Sequence, residues 1–197
     1  MAGFNPNDME LTPGLITIYP YGNIAASAGY ALGATLSSIK VGIKTDKAHF
    51  MADQTGSTPL DSAISGQQFT ITTEIAQTRD YLLAASAVFP HAILLGNAPY
   101  DGTATTAALA WVNHVGQKDS TVACSLVIHP QDLPAASTQY DMTFFKVAST
   151  EVSELDFSPS KQSTWKIVWT VYPDTANPYS ASGTDYRFMM RGNTAIF

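Results

Sequence analysis

The residue types that most often carry chemistry are thinly spread in this sequence. Its four histidines, His49, His91, His114 and His129, share no local metal-binding spacing, so only folding could gather them into a ligand set. Structural or surface roles are expected for each. Asp53 and Asp61 flank a polar segment and offer carboxylate oxygens, but the residues between them lack the alternating acid and amide spacing of a calcium loop. That segment is expected to be solvated or to face a partner. Glu151, Glu154 and Asp156 form an acidic group, which reads as a solvated edge rather than a catalytic carboxylate pair. Cys124 sits on the apolar parity of its segment with Val122, Leu126 and Ile128, and reads as a small buried hydrophobe. Trp165 and Trp169 share one strand face and could form a sugar-stacking platform, but Ile167 and Val171 on that face favour core packing.

No G-x-S-x-G, P-loop, G-x-G-x-x-G or H-E-x-x-H pattern is present. With no nucleophile, base and oxyanion site in view, the chain is not expected to be an enzyme, and neither a cofactor nor a metal is expected. Charged residues make up 13% of the chain, half the usual share of about 25%. So uncharged a surface predicts burial against other copies. The net charge of −6 disfavours a broad basic field for gripping nucleic acid. A single cysteine excludes an internal disulfide framework. The first residues lack the basic and apolar regions of a signal peptide, and a flexible arm is expected over about 1–13. The longest apolar tract, 81–95, is broken by Ser86, Pro90 and His91, so a soluble protein with no membrane partner is expected.

The elements that must position these residues read mainly as strands. Leu15-Ile16-Thr17-Ile18-Tyr19, between Gly14 and Pro20, predicts the first, and the Ala-, Gly- and Ser-rich stretch 24–38 predicts a loop. Ile39, Val41 and Ile43 then alternate with Lys40, Gly42 and Lys44 in a strand that runs on to Met51. The clearest alternation sets Phe69, Ile71, Thr73 and Ile75 against Gln68, Thr70, Thr72 and Glu74. Tyr81, Leu82, Ala85, Val88 and Phe89 predict the one helix, with Thr78 as N-cap and Pro90 at its end. Further strands are predicted over 121–129, 143–147, 164–172 and 186–191. The expected fold is mainly β, an antiparallel β-sandwich or barrel with one flanking α-helix, formed by 1–197 as a single domain.

The order of residues over 39–76 is more specific. A lysine-bearing strand with Val41-Gly42 leads to Ala52-Asp53-Gln54-Thr55-Gly56-Ser57-Thr58-Pro59-Leu60-Asp61, then to Ser65-Gly66, then to the alternating strand through Glu74, with the expected helix directly after. This order resembles that of the tail tube proteins of long-tailed bacteriophages; elsewhere only element order and β content match. The resemblance implies a virion protein of the tail, assembled in the host cytoplasm, whose homohexameric rings stack into a tube and contact other tail proteins. Its lumen would conduct DNA during ejection without specific binding. A protruding loop of about 52–66, with Asp53, Gln54, Thr55, Gly56, Ser57, Thr58, Pro59, Leu60 and Asp61, is then expected to reach the next ring. Thr70, Thr72 and Glu74 are expected to face the lumen. A neutral or acidic lining lets a polyanion slide, because each Lys or Arg on a phosphate adds affinity through counterion release. Lys40 and Lys44 share that parity and oppose this unless paired with acids.

Two other readings stand beside it. A tail terminator, completion protein or baseplate component would form one ring and stop. A carbohydrate-binding β-sandwich would use exposed aromatic and acidic side chains, for which Tyr100, Asp101, Tyr140 and Tyr179 are candidates.

Overall fold

The computed structural model describes residues 13–20, 29–33, 35, 38–51, 58–76, 93–95, 108–110, 115–152, 163–178 and 186–192. These form an antiparallel sheet of eight strands with two small two-stranded sheets beside it. The strands in chain order are β1 (Gly14–Pro20), β2 (Tyr30–Ala31), β3 (Lys40–Phe50), β4 (Asp61–Ile75), β5 (Ile93–Leu95), β6 (Ala108–Ala110), β7 (Cys124–Pro130), β8 (Met142–Val152), β9 (Trp165–Val171), β10 (Asp174–Pro178), β11 (Tyr186–Arg187) and β12 (Met189–Arg191). The main sheet runs β2-β1-β7-β8-β9-β4-β3. β12 joins it beside the first part of β8, at Phe144, where β9 no longer reaches. The small sheets are β5 with β6 and β10 with β11.

Alternation explains which face is buried. On β4, Phe69, Ile71, Thr73 and Ile75 lie inside while the residues between them are half-exposed. The facing residues of β9 repeat the pattern, with Ile71 opposite Trp169 and Ile75 opposite Trp165. Ile16 and Ile18 of β1, Leu126 of β7 and Phe144 of β8 complete one core cluster on the same face. Phe188, between β11 and β12, stacks on Phe69 with ring centroids 4.8 Å apart and so ties the last strands to that core.

The sheet is not flat. A Cβ placed on Gly14 would stand 2.8 Å from Cδ1 of Ile39, the residue just before β3. In a flat sheet β1 and β3 would lie about 24 Å apart, five steps of ~4.8 Å, far beyond one side chain. The sheet must therefore roll until its two ends approach. The segment between β2 and β3 crosses the seam: the Leu32 amide donates to the Ile16 carbonyl on β1, and Thr35 bridges to Ile75 on β4. Gly14 is a point of close approach, where a Cβ would also meet Cγ2 of Ile128 at 2.9 Å. Gly14→Val is expected to destabilise the fold by about 1–3 kcal/mol through overpacking, read as a lower urea midpoint at unchanged slope.

The structure corrects several expectations. The loop expected over 24–38 contains β2 and the Thr35 bridge, and the expected 52–66 loop is shorter, because Asp61 to Gly66 already belong to β4. The strand expected over 121–129 begins at Cys124, after a 3₁₀ turn at Asp119–Thr121. The flanking helix expected from Thr78 to Phe89 lies outside the described residues, as does the arm expected before Pro13. Among the described residues the helical turns are that one and a second at Thr138–Tyr140, and no helix is long and apolar enough to cross a membrane.

Candidate assembly surface

The largest departure from a closed, self-covered sheet is the β3–β4 hairpin. β3 has 11 residues and β4 has 15, against a usual strand of about 5–6. Only the Phe69–Ile75 part of β4 lies against β9, so the rest of the hairpin projects as an arm. Register shows which side chains share a face. Val41 pairs with Ile71 and Ile43 with Phe69, which continues the core face outward. Farther out, Asp46 pairs with Gly66 but Lys47 with Ile64, so Ser65 is an extra residue, a β-bulge. Without it Ile64 would point to the opposite face; with it Ile64 joins the face of Ile43 and Phe69.

That stripe, in which Thr45, Gln67 and Lys47 stand among the isoleucines, leaves the core uncovered. Phe69 is 8% exposed, whereas Ile43 is 59% and Ile64 63% exposed. Phe50, Met51 and Leu60 near the tip are also more than half exposed, and the Leu60 amide closes on the Phe50 carbonyl at 2.9 Å. β3 is moreover the end strand of the main sheet, and its outer backbone edge pairs with no described strand. Two-stranded ribbons are marginal in water, and an exposed apolar edge invites another chain.

The predicted inter-ring residues map onto this arm in part. Thr58, Pro59 and Leu60 are exposed at its outer end, and Asp61 opens β4 opposite Phe50, its carboxylate accepting from the Ser62 amide at 2.7 Å. Asp53, Gln54, Thr55, Gly56 and Ser57 lie outside the described residues. Thr70, Thr72 and Glu74 do share one face, half-exposed and opposite the core. Lys40 lies across from Thr72, Lys44 from Gln68 and Lys166 from Glu74. Lys44 also meets Asp46 at 3.2 Å. The face is therefore of mixed charge rather than acidic, and exposed pairs of this kind add little stability.

Elsewhere the candidates separate. Trp165 and Trp169 are buried in the core, which removes them as a sugar platform. Cys124 is buried, its Sγ 3.6 Å from the Val147 carbonyl, and burial pushes its thiol up to about 12, so it is not a thiolate at neutral pH. His49 is exposed on the arm opposite Ser62, and Tyr140 is exposed in a turn. Tyr172 donates to Asp119 at 3.2 Å; burial first, then the Asp119 charge and hydrogen bond, raise its phenol above the usual range. Glu151 lies opposite Val168 on β9. His91, His114, Glu154, Asp156, Tyr100, Asp101 and Tyr179 fall outside the described residues. Among the described residues no three His, Cys, Asp or Glu side chains gather as a metal site.

One arrangement escaped the sequence reading. His129 on β7 meets Asp141 with Nδ1 2.6 Å from Oδ1, and its Nε2 is 3.3 Å from the Leu133 carbonyl. Burial opposes the charged ring, but the Asp141 and Leu133 hydrogen bonds and the charges of Asp141 and Asp132 outweigh it and raise His129 above its ordinary 6.5. The signal was a histidine before a turn closed by an aspartate, legible only once the register of β7 on β8 is known.

No family model matches the sequence, and no curated protein matches it.

Proposed function

We propose that this chain is a self-assembling structural protein, a subunit of the stacked, hexameric rings of a phage tail tube, and not an enzyme. The observation that carries the reading is the arm: a strand pair with an unpaired outer edge, whose stripe of exposed Ile43 and Ile64 runs on from the core. A second copy covering that stripe and edge would bury what the isolated chain leaves in water. The low charge content agrees, since a surface meant for copies of itself gains from few desolvated charges. The residue order over 39–76, similar to that of tail tube proteins, supplies the particular assembly. On this reading Thr70, Thr72 and Glu74 face a lumen whose lysines are offset by neighbouring acids, and DNA passes without being held. The end of the arm, at Thr58 to Asp61, contacts the next ring.

Negative-stain electron microscopy of the purified protein over a range of concentrations tests this. Tubes of uniform bore that lengthen with concentration are expected. Discrete rings that never stack would favour a tail terminator, completion or baseplate component, and monomers at every concentration would end the proposal.

A further inference from the structure

His129 and Asp141 are a close-set ionisable pair within the folded body, away from the arm, and the ring's surroundings define its protonation state by geometry. Its side chain is 15% exposed and that of Asp141 11%, so both are largely shielded from solvent. Nδ1 faces the Asp141 carboxylate at 2.6 Å and Nε2 faces the Leu133 carbonyl at 3.3 Å. Both groups are acceptors only. A neutral imidazole carries one N–H and would turn a lone pair toward one of them; only the imidazolium, with two N–H groups, satisfies both. The acids around the ring, Asp132 and Asp141 from the turn between β7 and β8, favour its charged form. β1 presents the apolar Leu15 opposite His129, and the cation of β12, Arg191, in register with Met142, is of the sign that opposes it.

The pair also sits where three parts of the chain meet. The Gln131 amide donates to the Pro13 carbonyl at the start of β1, and the Gly192 amide donates to the Asp141 carbonyl at the end of β12. We propose that His129 and Asp141 form a protonation-controlled clamp: while the imidazole is charged it fixes the 131–141 turn and, through it, the start of β1 and the end of β12, and loss of the proton loosens all three together. The clamp does not depend on the function proposed above, and holds for a tube, a single ring or a monomer.

The direction of the pH effect follows from the fold favouring the charged ring. The clamp is complete below the ordinary histidine value of 6.5 and is lost as pH rises through the higher value of the folded state. Hydrogen–deuterium exchange of the full chain, corrected for intrinsic exchange, reads this from pH 6 to 9.5. Peptides covering 131–141, 13–19 and 189–192 are expected to lose protection together, by tenfold or more, over one transition. In His129→Gln, which cannot ionise, their protection is expected to be independent of pH. Unchanged protection in the native chain, or the same transition in His129→Gln, would overturn the clamp. Should His129→Gln not fold, Asp141→Asn decides: a transition moved to lower pH supports the clamp, and an unmoved one refutes it.

Discussion

Trp169→Ala is expected to remove about 3–5 kcal/mol of stability, a large part of the roughly 5–15 kcal/mol that holds a domain together. The size follows from position. Trp169 has no exposed surface, and on β9 it lies between Ile71 of β4 and Ser149 of β8, in the middle of the rolled sheet. Removing the indole leaves a cavity that strands fixed on both sides by backbone hydrogen bonds cannot collapse to fill. Lys166→Ala, on the opposite face of the same strand, is expected to change stability by no more than about 0.5 kcal/mol. Urea denaturation compares the two directly: a slope near 2–3 kcal/mol per molar puts the Trp169 shift at about 1–2.5 M. Equal shifts in the two variants would mean that the tryptophan face is not the core. Trp169→Phe, which keeps most of the volume, provides a measurable variant if the alanine form is unfolded at room temperature.

What the sequence reveals and what it hides divide along the range of the forces involved. The alternation of Phe69, Ile71, Thr73 and Ile75, and of Trp165, Ile167, Trp169 and Val171, is a local signal with a period of two, and both faces are oriented as it predicts. Cys124, among apolar neighbours of the same parity, is buried for the same reason. The roll of the sheet is not local. It depends on Gly14 meeting Ile39, and nothing in either residue's neighbourhood announces the other. The arm was hidden more specifically: Gly56, Pro59, Ser65-Gly66 and nearby polar residues read as a loop over about 52–66, whereas β4 begins at Asp61 and carries Ser65 as a bulge within paired strands. Because the bulge shifts parity by one, simple alternation places Ile64 on the wrong face. The His129–Asp141 contact was hidden likewise, since it needs the turn to be closed before the two side chains meet.

If copies associate through the arm as proposed, the double variant Ile43→Asp, Ile64→Asp is expected to abolish that association while leaving the fold intact. Both side chains are more than half exposed, so their replacement costs the isolated chain little, and thermal unfolding of the unassembled protein should move by no more than a few degrees. In an assembly the same two residues would be covered. Burying a fully exposed isoleucine is worth about 1.5–3 kcal/mol; these two are 59% and 63% exposed, so together they supply roughly 2–4 kcal/mol per contact, before the cost of burying two carboxylates in their place. At about 1.4 kcal/mol per tenfold, the concentration needed to associate rises by a factor of ~10 to 10³, and by more once the carboxylates are counted, which sedimentation velocity would read as loss of the fast-moving species. Val115→Asp is the matching control. Val115 is 92% exposed but belongs to a turn outside the β3–β4 hairpin, and single exposed apolar residues are common on protein surfaces. Assembly lost in the arm variant and kept in the control would trace association to the stripe that the Ser65 bulge aligns. Assembly kept in both would mean that the copies meet elsewhere than at the arm's exposed isoleucines. Equal loss in both would mean that added negative charge, on a chain already at −6, drives the copies apart wherever it is placed.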